Sequence, residues 1–300
     1  MKTKIAIIMN ASLDIRKLDS WEIKLHSVIH PAPYIQDMLA KVSEHYDYDI
    51  FMCLNHQFEL TTNHQQQIDF LRETYKPKRF RLIKTRDLED QIVKELSWPT
   101  EVCRADRFHK HFPQHYGFFN ECRDLVDEGY QYFFKLRPDI YPGPSFNLHH
   151  ALNMWNNIGE KQNILWTSDV FVVGNQHRPI SVKDIVMVYD NTMIKECLRI
   201  LPDWMQKCYY ENEQMRLNQW DKDTNNPYIN VEGAIGKLVL MANANVMAAQ
   251  HYFAHVLYRP THLELMNSPE KMNREFFQEL NQKADTWWSQ GPRHFQEIIE

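Results

Sequence analysis

Glycine is scarce in this chain of 300 residues, with eight in all, and neither a G-x-x-x-x-G-K-[ST] loop nor a G-x-G-x-x-G turn occurs. Both motifs use glycine to bring backbone N–H groups against a phosphate, so P-loop kinase and nicotinamide dehydrogenase chemistry lose their usual support. A G-x-S-x-G nucleophile elbow is missing as well. Cysteine is equally sparse: Cys53, Cys103, Cys122, Cys197 and Cys208 are odd in number and form no C-x-x-C pair. That argues against a disulfide framework and against a thiolate zinc cage. The 15 histidines leave an oxygen-and-nitrogen metal site open.

Long apolar runs are absent too. Ile5 to Met9 and Leu238 to Ala242 are among the longest, far below the roughly 20 residues that span a bilayer. Lys2 and Lys4 ahead of the first run imitate a signal peptide, but the run is shorter than a secretory core of about 7–15 residues, so a cytoplasmic protein is expected. No basic block exists, and 34 basic against 39 acidic residues give a net charge of −5. Binding a long nucleic acid through its phosphates is therefore not expected.

What the chain does have is apolar and aromatic mass: 43% hydrophobic residues, including 16 Phe, 14 Tyr and 8 Trp, enough for a sizeable core. Lys4 to Asn10 is a short β-branched run, as for a buried first strand. A helix is predicted over Pro31 to Tyr46, with Ile35, Met38, Leu39 and Val42 at helical spacing. A strand over Tyr48 to Asn55, a helix over Gln65 to Thr74 and a strand over Arg79 to Lys84 follow. This β-α-β-α-β order predicts an α/β fold with an open, mostly parallel sheet.

Further along, Pro113 to Glu128 reads as a helix ended by Gly129, and Tyr132 to Leu136 as the next strand. One interrupted strand is predicted over Ile164 to Gly174, and helices around Val182 to Asp190, over Cys208 to Trp220 and over Val231 to Ala242. There is no internal repeat and no long Gly/Ser linker. The expected organisation is one catalytic domain over 1–262 and a helical extension over 263–300.

Chemistry concentrates where the strand at Tyr132 to Leu136 ends. The stretch Phe134-Lys135-Leu136-Arg137-Pro138-Asp139-Ile140-Tyr141 sets a carboxylate and two cations beyond an apolar strand, the place where open α/β sheets bind ligands. There Asp139 can ligate Mg²⁺ or Mn²⁺ while Arg137 faces a phosphate and Pro138 stiffens the turn. An Arg–Asp surface pair is the plain alternative. Between the two cations Arg137 is the stronger candidate, since only one strand face need meet the ligand. In the second polar cluster, Ser168 and Asp169 interrupt an otherwise apolar strand, where unsatisfied polarity is costly.

These two clusters resemble the R-P-D and S-D-x-F-x-x-G signatures of bacterial and large-virus glycosyltransferases of the GT-A fold, among them the WavE-type lipopolysaccharide-synthesis proteins. The resemblance runs over about Lys4 to Arg259. It implies a GT-A-like sheet with helices on both faces and a helical C-terminal part. It also implies a nucleotide-sugar donor, a glycan or glycolipid acceptor of surface-polysaccharide or lipopolysaccharide synthesis, and a divalent cation, Mn²⁺ or Mg²⁺. In that fold the metal motif is D-x-D; here Arg137 holds its first position.

The resemblance gives Asp139 the metal and diphosphate role. Donor binding is expected of Lys135, Arg137, Ser168 and Arg259, with a structural cap on a neighbouring loop as the plain role of Ser168. Glu232, which opens the apolar segment Ala234 to Ala242, becomes first candidate for general base, and Asp169 its rival; a favourable charge at a helix start is the plain role of Glu232. His251 or His255 would complete the metal shell, although a lone histidine is more often structural. Arg104, Arg107 and Lys110 read as a solvated basic face. The expected activity is sugar transfer from a nucleotide-diphosphate donor, set against two alternatives: a non-catalytic binding module of the same fold, and a metal-dependent phosphohydrolase.

Overall fold

The computed structural model describes residues 2–13, 28–29, 31–56, 59–85, 87, 90–91, 94, 108–143, 145–154, 162–168, 170–175, 178–182, 184–217, 231–249, 252–253 and 255–257. The expected extension over 263–300 lies outside them.

The first half follows the predicted alternation. Strand β1 (Thr3–Ser12) leads to helix α1 (Ala32–His45), β2 (Tyr46–His56), α2 (Thr62–Tyr75), β3 (Arg79–Lys84), α3 (Phe108–Leu125) and β4 (Tyr132–Leu136). Helix α1 buries Ile35, Met38, Leu39 and Val42 on one side, each contributing about 1.5–3 kcal/mol by leaving water. Thr61 caps α2 by accepting from the His64 N–H. Helix α3 starts five residues before the predicted Pro113. It stops before Gly129, whose φ of 86° no β-carbon has to share.

The second half departs from expectation. After β5 (Ile140–Pro142) and α4 (Leu148–Asn153), the stretch predicted as one strand is two: β6 (Ile164–Thr167) and β7 (Val170–Asn175). The polar residues that looked like an interruption are where the chain leaves the main sheet. The helix predicted around Val182 to Asp190 is instead the end of β8 (Arg178–Val182) and all of β9 (Met187–Asp190). Met187, Val188 and Tyr189 are wholly buried, and an unbroken apolar run has no period to separate strand from helix. Helix α5 (Asn191–Leu217) begins directly after β9, seventeen residues ahead of the predicted Cys208. Asp190 caps it, its Oδ1 accepting from Met193 N at 2.6 Å and Thr192 Oγ1 at 2.8 Å. Helix α6 (Val231–Met241), β10 (Asn245–Ala248) and β11 (His255–Leu257) follow.

The main sheet has seven strands in the order β10-β6-β9-β4-β1-β2-β3, all parallel except β9. β5 pairs with β11 and β7 with β8 in two small antiparallel sheets. Successive strand residues face opposite sides. Ala6, Ile8, Phe51 and Phe133 meet α3, α5 and α6, whereas Ile7, Met9, Met52 and Phe134 meet α1, α2 and α4. The fold is thus an α/β sandwich with a mostly parallel sheet and helices on both faces, as the sequence predicts. Because β2 and β4 flank β1 on opposite sides, the strand order reverses at β1, and the region beyond the carboxyl ends there is where open α/β sheets bind ligands.

Candidate functional site

Polar side chains gather beside that reversal. Asn10 near the end of β1, Asn55 near the end of β2 and Lys135 near the end of β4 are all buried. By strand alternation all three fall on the α3 side of the sheet. Gly117 lets α3 approach closely: a β-carbon there would stand 3.3 Å from Cys53 Sγ and 3.7 Å from Asn10 Nδ2. No described residue gives Asn55 Oδ1 a hydrogen-bond partner.

Lys135 is 2% exposed, and its ammonium donates to the Asp184 carbonyl and lies 3.9 Å from the Asp184 carboxylate. The same carboxylate oxygen has His115 Nε2 of α3 3.7 Å away. Asp184 reaches this position because β9 runs antiparallel to β4, so the residues leading into β9 lie at the carboxyl end of β4. Burial pushes the Lys135 pKa down to about 8, with the Asp184 carboxylate opposing and Arg137 adding to the shift. Burial alone would raise the Asp184 carboxyl, but Lys135, His115 and Arg137 together hold it well below the usual carboxylate range.

Two residues on, the chain turns. Arg137 and Asp139 close a bidentate pair around Pro138, with Nε donating to Oδ1 at 2.8 Å and Nη2 to Oδ2 at 2.6 Å. The locked φ of proline favours so short a span, and the guanidinium fork matches a carboxylate. Burial disfavours the charged guanidinium, yet Asp139 and then Asp184 overcome it and raise its pKa. The side chains keep 28% and 12% exposure respectively, so the pair reaches solvent beyond the end of β4. Tyr141, beyond the turn, packs edge-on against Tyr34 of α1 at 5.4 Å.

Of the residues singled out from sequence, Lys135, Arg137 and Asp139 come together here. Ser168 is buried at the end of β6, while Asp169, His251 and Arg259 lie outside the described residues. Glu232 stands in the first turn of α6, as expected, but its side chain is also outside them. His255 sits by its backbone opposite Pro142, in the strand that pairs with β5 and three residues beyond Asp139 in register. A metal fits poorly at Asp139, because both its oxygens already accept from Arg137. Among the described residues, no three His, Cys, Asp or Glu side chains form a set that could hold one.

Sequence reasoning missed Asn10, Asn55, His115 and Asp184. The two asparagines carry a signal, being polar residues at the ends of apolar strands. Asp184 carries none, since its tie to Lys135 spans 49 residues.

No protein-family model matches the chain, and no curated protein does. Solved structures with a similar fold include a transferase determined as a double cysteine-to-serine mutant, at 9% identity and TM-score 0.35, with 81% of this chain and 86% of that one covered. A glycosyltransferase involved in glycosylating the major capsid of PBCV-1 is similar at 8% identity and TM-score 0.27, with 73% and 70% covered. The mannosyltransferase Ktr4p from S. cerevisiae, also solved in complex with GDP, is similar at 13% identity; for the structure without GDP the TM-score is 0.26, with 94% and 61% covered. All are distant structural likenesses, and with TM-scores below 0.5 none assigns a substrate or a catalytic residue to this chain.

Proposed function

We propose that this chain transfers a sugar from a nucleotide-diphosphate donor to a hydroxyl of a glycan or glycolipid acceptor. One observation carries the reading: the Arg137-Pro138-Asp139 turn lies at the carboxyl end of β4, beside the sheet's reversal point, with the buried Lys135 ammonium behind it. Positive charge held rigidly in a poorly hydrated site stabilises negative charge that grows on a leaving diphosphate. A guanidinium has five N–H donors, and Asp139 takes two of them, which leaves the others for phosphate oxygens.

In this reading an acceptor oxygen attacks the anomeric carbon and forms the new C–O bond. The bond from that carbon to the diphosphate breaks, and its electron pair leaves on the phosphate oxygen. The acceptor proton passes to Glu232 or Asp169 if configuration inverts. Ser168 would meet donor-sugar or acceptor hydroxyls and Arg259 a second phosphate oxygen. A divalent cation held by Asp139 with His251 or His255 would supply further charge neutralisation, but Asp139 is engaged by Arg137 and no step above runs through a metal. A lipopolysaccharide-like acceptor follows from the sequence resemblance.

The test is release of nucleoside diphosphate from a panel of nucleotide sugars, with and without glycan acceptors, read with the acceptor's mass. Acceptor-dependent release with a sugar-sized mass gain supports transfer. Release by water alone would identify a hydrolase instead. Tight donor binding without turnover would favour the binding-module alternative, which the cation at the first position of the R-P-D motif recommends.

A further inference from the structure

The charge at the β4 end is arranged differently from what a metal-binding acidic motif requires. Such a motif offers free carboxylate oxygens to a hard cation. Here the first position is itself a cation, Arg137, and it occupies both oxygens of the one carboxylate in the turn. Freeing Asp139 for a metal would break two charge-assisted hydrogen bonds and bring a dication beside a guanidinium and the Lys135 ammonium. Among the described residues the other carboxylate nearby is Asp184, whose Oδ2 already faces Lys135 and His115. Asp139 thus offers a metal ion no free oxygen, whereas an anion meets the partly exposed edge of Arg137.

We infer that this chain binds a nucleoside diphosphate without a divalent metal, with Arg137 contacting the diphosphate and Lys135, held by Asp184, supplying fixed positive charge behind it. The inference rests on the proposed donor class and departs from the metal requirement that the sequence resemblance implies. Asp139 then acts as a positioning residue that holds the guanidinium plane, and Asp184 does the same for the ammonium.

Binding of UDP, GDP, ADP and dTDP to the full chain, measured by calorimetry in excess EDTA and in Mn²⁺, tests it. At least one nucleotide should bind in EDTA with an affinity within about 2-fold of that in Mn²⁺, since charge-assisted contacts to protein cations do not require the ion. Arg137→Ala should weaken that binding by about 10-fold or more, and Arg137→Lys should restore only part of it, because an ammonium lacks the fork. Lys135→Met should weaken it as well, in protein whose unfolding transition shows it folded. Should Lys135→Met fail to fold, Asp139→Asn decides the matter: metal-free binding is reduced but persists if Asp139 only positions Arg137. Binding that appears with Mn²⁺ alone and disappears in Asp139→Asn overturns the inference while leaving the donor class intact. Absence of binding to every nucleotide in both conditions overturns the inference and the functional reading together.

Discussion

Helix α3 takes part in two buried charge clusters that use the same ingredients and come out opposite. Toward its carboxyl end Glu121, 1% exposed, is flanked by Arg79 at 2.5 Å and Arg81 at 3.1 Å from the edge strand β3. Toward its amino end His115 joins Lys135 and Asp184 at the middle of the sheet. Burial raises the pKa of Glu121, and the two arginines do not fully offset it. Asp184 is lowered instead, because its cations overcome burial. The arginines are 31% and 37% exposed, so water screens them, whereas Lys135 at 2% has no such screen. The edge cluster fastens a helix to a strand. The central one lies at the carboxyl end of β4, beside the turn where the proposed donor would bind.

The sharpest way to break this contrast is Asp184→Ala, which leaves the buried Lys135 ammonium without its carboxylate. Breaking a buried pair on one side costs about 3–5 kcal/mol, and urea unfolding should show a loss of that order. A loss under about 1 kcal/mol would place Lys135 in contact with water. Next in size, Glu232→Gln should lower turnover at least about 10²-fold with donor affinity preserved, since the amide keeps the shape but is far less basic. Full activity would remove Glu232 as the base. At the edge, Glu121→Gln should cost about 1–2 kcal/mol and leave nucleotide binding unaltered in the same calorimetry; a change in binding would erase the division between the clusters.

The smallest effect lies in pH. The folded-state pKa of Asp184 sits below its ordinary value of 3.8, so its contribution is complete above about pH 4 and is lost as pH falls further, because the unfolded chain then binds more protons than the native one. Asp184→Asn should therefore differ most from the native protein near neutrality, with the gap closing in acid. Glu121 has the reverse sign: its raised pKa makes stability fall as pH rises through and above its ordinary value of 4.5, and Glu121→Gln should remove that decline. Urea midpoints over pH 3 to 7 separate the two, by experimental design spanning both ordinary values.

The sequence revealed the fold best where elements alternate and each has its own period. From β1 to β3, buried parallel strands read as apolar runs and α1 shows one apolar face, so most boundaries moved by only a few residues. From Ile164 onward the cues fail. Val186 to Tyr189 is buried on both faces, and helix and strand then look alike. The start of α5 was hidden because Asn191 follows β9 with no intervening turn residues. At the site, Lys135, Arg137 and Asp139 were legible together because they are neighbours beyond one strand. Asp184 and His115 became visible only when β9 reversed direction and α3 crossed the sheet.

That reversed strand has a consequence for how the molecule assembles. β6 and β10 reach the rest of the sheet only through β9, four residues long, and the carboxylate for Lys135 travels three residues ahead of it. A nascent chain that has emerged only as far as β8 holds the parallel half, β3-β2-β1-β4, with an unpaired edge and an ammonium still lacking its partner. Docking of Met187 to Asp190 joins β6 to β4 through β9 and brings the Asp184 carboxylate to Lys135 in one event. Joining the two parts of the sheet and pairing Lys135 are thus one structural event, and a chain stalled before it would expose an open strand edge to its neighbours.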